Sequence, residues 1–188
     1  IDLAEMGNVP GGTRRNLQDL DGRVRFFPGA GETARVLLAD AQTFFDWGPL
    51  YALATDLSAI VGITPAIIVR FAERLIERLD AYWPILEGRV DPPRGLPRVK
   101  VSGGRLKVLK RALRGGACRF PEVWPSMSVL VCWKAATCGM QLPTLRHFSD
   151  GVPLVDATYS ATEGWVNVPF VDGRVGGAVH PGAHVFEF

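Results

Sequence analysis

Tyr159-Ser160-Ala161-Thr162-Glu163-Gly164-Trp165 gathers two aromatic side chains, two aliphatic hydroxyls and a carboxylate into one short stretch. An apolar run, Pro153-Leu154-Val155-Asp156-Ala157-Thr158, leads into it. Each residue type has a use at a nucleotide. An aromatic ring stacks on a base, since every base offers a π-face. A hydroxyl and successive backbone N–H groups hydrogen-bond a phosphate. A carboxylate holds Mg²⁺, which takes only one or two protein carboxylates beside phosphate oxygens and water. The same residue types also make an ordinary strand-to-turn connection. The stretch alone therefore leaves a nucleotide site and a plain turn both open.

A second turn of small residues, Lys134-Ala135-Ala136-Thr137, follows another apolar run, Met127 to Trp133. In an open parallel sheet, ligands gather beyond the carboxyl ends of strands. The two turns flank one short amphipathic segment, so they are expected side by side, with room for one nucleotide to bridge them.

Other chemistries fit poorly. His180 and His184 are four apart, but Pro181-Gly182 between them prevents a helix from aligning them, and His147 falls on an amphipathic helix. A zinc site is not expected. No G-x-S-x-G elbow is present and no cysteine and histidine pair at a recognisable spacing, so no covalent nucleophile is expected. Gly29-Ala30-Gly31-Glu32-Thr33-Ala34 matches G-x-G-x-x-A, with Asp46 and Asp56 downstream at loosely suitable distances for a ribose. However, Pro28 interrupts the short run Val24-Arg25-Phe26-Phe27 just before the glycines, and the stretch reads as a Gly-rich turn entering a helix.

The elements that must position these residues follow from periodicity. A helix is expected from Glu32 to Phe45, ended by Trp47-Gly48-Pro49. Ser58 to Ile63 reads as a buried strand. Thr64-Pro65 supplies an N-cap and an N1 proline for a helix to about Tyr82, with Ile68, Phe71, Leu75 and Leu79 on one face and Pro84 as its stop. A Pro/Gly/Arg loop over 88–98 precedes a short helix, Arg105 to Arg114, with leucines inward and basic residues outward. Gly115 to Pro125 reads as a connection, Met127 to Trp133 as a central strand and Leu142 to Ser149 as a helix closed by Asp150-Gly151. Pro153 to Thr158 is the next strand, then Asn167 to Val171, an Asp172-Gly173 turn and a terminal strand. This order predicts an α/β fold, a mainly parallel sheet with flanking helices.

The 188 residues suffice for one sizeable core, and 47% apolar with 21% charged is a globular balance. No apolar run approaches the ~18 residues of a membrane helix. Cys118, Cys132 and Cys138 form no C-x-x-C pair, which points to a reducing compartment, the cytoplasm. The net charge is +2, yet residues 89–119 carry ten Lys and Arg against Asp91 alone. Without interleaved aromatics that run reads as a solvated helix face, not a nucleic-acid surface. The chain opens at Ile1 and closes on Val185-Phe186-Glu187-Phe188 in mid-strand, and is read as a piece of something larger.

From about residue 50 onward the chain resembles the plant auxin-responsive (Gretchen Hagen) acyl-acid amido synthetases and their bacterial relatives, of the adenylate-forming superfamily. The likeness rests on Trp124-Pro125-Ser126-Met127, Gln141-Leu142-Pro143-Thr144-Leu145, Ser149-Asp150-Gly151-Val152-Pro153-Leu154-Val155, Tyr159 to Trp165, and Val185 to Phe188, in order and at fitting spacing. It implies that residues 1–188 are a fragment of a single large N-terminal domain that binds acyl group and ATP. The family's Ser/Thr/Gly-rich phosphate loop would lie upstream and its small C-terminal domain would lie beyond, so this stretch alone is expected to be inactive.

The resemblance implies an ATP-dependent ligase with ATP and Mg²⁺ as cofactors. It would activate a small-molecule carboxylic acid as an acyl-adenylate and pass it to an amine or amino acid, with no nucleic-acid or membrane partner. Tyr159 would stack on adenine, with Ser160 and Ala161 in the same turn. Thr162 would hydrogen-bond the α-phosphate and Glu163 would bind Mg²⁺. Ala136 and Thr137 match the family's Gly-Thr turn at the nucleotide, Ala136 replacing its Gly. Trp165, Ile63 and Thr64 fall at the acyl pocket, although Trp165 suits a plain core equally well. Other readings of the same residues are a non-catalytic α/β nucleotide-binding or interaction domain and another adenylate former, such as an acyl-CoA ligase.

Overall fold

The computed structural model describes residues 32–161, 164–170 and 174–179. In chain order these form α1 (Glu32–Leu37), α2 (Ala41–Ala54), β1 (Ala59–Val61), α3 (Pro65–Glu77), α4 (Leu79–Leu86), α5 (Gly103–Ala112), α6 (Phe120–Val123), β2 (Val129–Cys132), α7 (Leu142–Ser149), β3 (Leu154–Asp156), β4 (Ser160–Ala161), β5 (Gly164–Trp165), β6 (Asn167–Pro169) and β7 (Gly177–Val179). A 3₁₀ turn, Ala136–Gln141, leads into α7. The expected Val24–Phe27 strand, the Gly29–Gly31 glycines, His180, His184 and the terminal strand lie outside the described residues.

β1, β2 and β3 form a parallel sheet in that order, with Val61 opposite Val131 and Cys132 opposite Asp156. Parallel neighbours need a crossover, and helices supply both. Side chains alternate between faces along a strand. Ile60, Leu130 and Leu154 share one face, with Leu130 fully buried, and the α3 residues Ile68 and Leu75 and the α7 residues Leu145 and Phe148 join them in the core. α3 and α7 touch one another, so both crossovers cover the same side. The opposite face carries Ala59, Val61, Val129, Val131 and Val155, and is only half-buried or open among the described residues. Thus the central parallel strand at 127–133 is found, while the 58–63 strand is not buried as expected. It is shorter, and Val61 is 74% exposed, because its alternate residues point to the side no described helix covers.

The proline rules fail twice, and burial explains both cases. The helix expected over 32–45 breaks at Asp40, whose carboxylate accepts from Thr43 N at 2.8 Å and caps a second helix. That helix runs through Trp47-Gly48-Pro49 to Ala54, because Gly48 to Leu53 are all buried. Likewise Pro84 lies inside α4, where Leu79, Tyr82, Ile85 and Leu86 are buried. The predicted 64–82 helix instead bends at Arg78 (φ −106°, ψ 7°), which turns that second apolar face into the core. Gly115–Pro125 is more than a connection. Phe120, Val123 and Trp124 are fully buried, and they fold the stretch into the turn of α6. Arg105 was expected outward. It is half-buried instead, donating to Leu53 O at 2.9 Å and Val123 O at 2.5 Å at the ends of α2 and α6.

The two acids downstream of the glycine-rich turn have structural work. The Asp46 carboxylate lies on Arg74 with Arg78 beside it, and Asp56 accepts from both Ser126 N (3.2 Å) and its hydroxyl (2.7 Å). Among the described residues no helix is long and apolar enough to cross a membrane.

Candidate nucleotide site at the strand ends

Three chain segments leave the carboxyl end of the parallel sheet together. Trp133 N donates to Ile63 O (3.1 Å), and Ala157 N donates to Cys132 O (3.0 Å), so the three strand ends are tied in line. The Trp133 indole then reaches across to Thr158 O at 3.3 Å. The turn after β2 and the turn after β3 therefore spring from adjacent, hydrogen-bonded strand ends.

Ile63 and Thr64 stand at the first strand end, Ile63 62% exposed and Thr64 half-buried. Thr64 has the extended N-cap backbone expected before Pro65, but its side chain makes no cap hydrogen bond. The turn before it is tight. Gly62 N donates to Val131 O at 2.9 Å, and a Cβ on Gly62 would come within 2.8 Å of the Ile68 side chain. Any side chain at this position would force the Ile68 side chain of α3 to shift.

Ala136 and Thr137 are both exposed at the second strand end. Ala136 has φ +50°, in the left-handed region that disfavours a side chain. A physical reason thus exists for a glycine at this position, where the resembling family has one.

Tyr159 stands at the third strand end and is 65% exposed. Its backbone is held on both sides, with N donating to Asn167 Oδ1 at 2.6 Å and O accepting from Val166 N at 2.9 Å. Ser160–Ala161 and Gly164–Trp165 then pair antiparallel, Ser160 opposite Trp165 and Ala161 opposite Gly164. Thr162 and Glu163 lie outside the described residues, as do the side chains of Ser160, Ala161 and Trp165. Of the residues expected at the site, Ile63, Thr64, Ala136, Thr137 and Tyr159 thus follow the three adjacent strand ends.

Three residues named in these segments had no role assigned from the sequence. Trp133 bridges the strand ends. Lys134 and Asp156 are buried at 5% and 4% exposure directly beneath them. Their signal was a charged residue closing each of two apolar strands. Asp156 Oδ1 accepts from Lys134 N at 2.9 Å and Oδ2 from Gly176 N at 2.6 Å, which occupies both carboxylate oxygens with backbone donors. Among the described residues no group of three or more His, Cys, Asp or Glu could hold a metal ion. Burial, helped by Asp156 and Cys138, pushes the Cys132 thiol up to about 11, and burial alone takes Cys118 to about 12. Both are protonated at neutral pH and unsuited to nucleophilic attack.

No family model matches the sequence. A curated protein, the selenide, water dikinase of Aliarcobacter butzleri (strain RM4018), is 38% identical over 56 residues, which is 30% of this chain and 16% of that protein. Among solved structures, a GH3.15 acyl acid amido synthetase superposes with a TM-score of 0.55 at 13% identity, over 68% of this chain and 26% of that one. AtGH3.15 acyl acid amido synthetase in complex with 2,4-DB gives a TM-score of 0.51 at 12% identity, over 74% and 26%. The chain therefore spans about a quarter of the length of the solved structures it matches. What it shares with them is the fold, an α/β architecture with a parallel sheet and flanking helices.

Proposed function

We propose that this chain is part of the large N-terminal domain of an ATP-dependent acyl-acid amido synthetase. The observation that supports the reading is an exposed Tyr159 and an exposed Ala136–Thr137 turn following two adjacent parallel strands, in a fold like that of acyl acid amido synthetases. The apolar sheet face left open at Val61 also supports a part of a larger domain.

A free carboxylate is a poor electrophile. ATP with Mg²⁺ supplies the adenylyl group that makes it a good one. The chain's own residues would bind and orient the reactants. The Tyr159 ring receives adenine, with Ser160 and Ala161 continuing its turn. Thr162 donates to the α-phosphate, and the Ala136–Thr137 turn closes the nucleotide's other side. Glu163 holds the metal. Ile63, Thr64 and Trp165 border the acyl group, a small-molecule acid that is then passed to an amine or amino acid. The work is positioning and charge stabilisation, with no covalent protein intermediate. The reducing cytoplasm suits its free thiols.

The test uses the full-length protein with ATP, Mg²⁺ and a panel of carboxylic acids. Pyrophosphate release without an amine, with the acyl group trapped by hydroxylamine as a hydroxamate, is expected. ATP binding without pyrophosphate release for any acid would leave a non-catalytic nucleotide domain. Product with coenzyme A in place of amino acids would reassign it as an acyl-CoA ligase. Glu163→Ala should abolish Mg²⁺-dependent adenylation with the melting temperature unchanged, and full activity in that variant would remove the metal role.

A further inference from the structure

We infer that Asn167 is a positioning residue for the nucleotide, and that the buried Lys134 and Asp156 side chains anchor the hairpin that carries it. The inference rests on the nucleotide reading of Tyr159 and assigns a role to β6–β7, which that reading leaves unused.

The chain of contacts is continuous. β6 and β7 pair antiparallel, Asn167 opposite Val179 and Pro169 opposite Gly177, and Phe170 N extends the ladder to Gly176 O at 3.2 Å. The Arg174 guanidinium lies over the Phe170 ring at 4.3 Å. At its far end this hairpin is held by the parallel sheet. Lys134 Nζ donates to Arg174 O at 2.6 Å and to Leu154 O at 3.3 Å, and Asp156 Oδ2 accepts from Gly176 N at 2.6 Å. Gly176 itself has φ +88°, a conformation that suits glycine. Hydrogen bonds from or to charged groups are about twice as strong as neutral ones, and both charged side chains are buried. At its near end the hairpin holds Tyr159, through Asn167 Oδ1 and Tyr159 N at 2.6 Å. Tyr159 is largely exposed, so little packing holds its side chain among the described residues. Its main chain is held at N by Asn167 and at O by Val166 N, and the strand that carries Asn167 is held by the clasp on 174–176. Lys134 and Asp156 thus act on Tyr159 through the hairpin and not by touching a ligand.

Full-length protein is titrated with ATP and with adenosine by calorimetry, and the melting temperature of each variant is recorded. Tyr159→Ala serves as the reference for loss of the base contact. Asn167→Ala should weaken ATP binding roughly three- to tenfold, the worth of one hydrogen bond. Its melting temperature should stay close to that of the parent. Asn167→Asp keeps an acceptor oxygen facing Tyr159 N and should restore the affinity that Asn167→Ala loses for adenosine, which has no phosphate for the new carboxylate to repel. Combined with Tyr159→Ala, Asn167→Ala should cost nothing further, since the two act as one unit. If Tyr159→Ala weakens binding and Asn167→Ala does not, the positioning role is overturned and the nucleotide site stands. Failure of Asn167→Asp to recover adenosine affinity also overturns it. If Tyr159→Ala itself binds ATP as the parent does, the nucleotide reading falls and takes this role with it.

Discussion

Ala136 shows how one residue reports on a site. A left-handed conformation costs an L-residue roughly 1–2 kcal/mol. Glycine would relieve that strain while losing about 0.4–1 kcal/mol through the greater freedom of its unfolded chain. Strain relief outweighs that loss, so Ala136→Gly should stabilise the protein by up to about 1 kcal/mol in urea unfolding. Ala135→Gly, at φ −82°, should destabilise it. Asp46 makes a second case. Desolvation raises its pKa, but hydrogen bonds from Gln42 and Arg74 and the charges of Arg78 and Arg74 outweigh that and hold it below the usual carboxylate range. Its folded-state value is depressed, so its contribution is complete above the unfolded value near 3.9 and is lost as pH falls through the folded value. Unfolding free energy should decline below about pH 4, and Asp46→Asn should flatten that part of the curve. Neither residue announced this role in the sequence. A positive φ depends on the path of the turn, and the Asp46–Arg74 pair joins residues 28 apart.

At the scale of elements, periodicity located what local sequence controls. α7 occupies Leu142–Ser149 as expected, and the Asp150-Gly151 stop works because both residues take positive φ. α3 begins where Thr64-Pro65 predicts. Endings controlled by packing were misread. α2 ignores Pro49 because its last turns are buried and its final carbonyls have partners from distant chain. Trp124 Nε1 donates to Ala52 O at 2.9 Å, and Arg105 Nε donates to Leu53 O at 2.9 Å. Helix-end carbonyls need such partners once water is excluded. Arg105→Met keeps most of the apolar stem and removes the donors. It should cost about 1.5–3 kcal/mol in denaturant unfolding, the range for hydrogen bonds to a charged group. Arg105→Lys should recover only part of it, because an ammonium lacks the planar fork that reaches both Leu53 and Val123. A cost under about 0.5 kcal/mol for Arg105→Met would refute the cap.

The whole molecule is tested through its thiols. Cys118 and Cys132 are buried with raised pKa values, whereas Cys138 is half-buried at the rim. A maleimide at neutral pH should label Cys138 first in the native chain, with the other two following only at the rate of global or subglobal opening. Equal labelling of all three would contradict the core. Residue types and spacing were enough for the class of fold, the central strand, the order of the main helices and strands, and the small-residue turn after β2, since hydrophobic periodicity and turn chemistry act over a few neighbours. Tertiary structure alone decided which strand was covered, where α2 and α4 stopped, that Arg105 turned inward, and that Lys134, Asp156 and Asn167 support the rim around Tyr159. Those outcomes depend on partners roughly 8 to 70 residues away, whose approach no local pattern encodes.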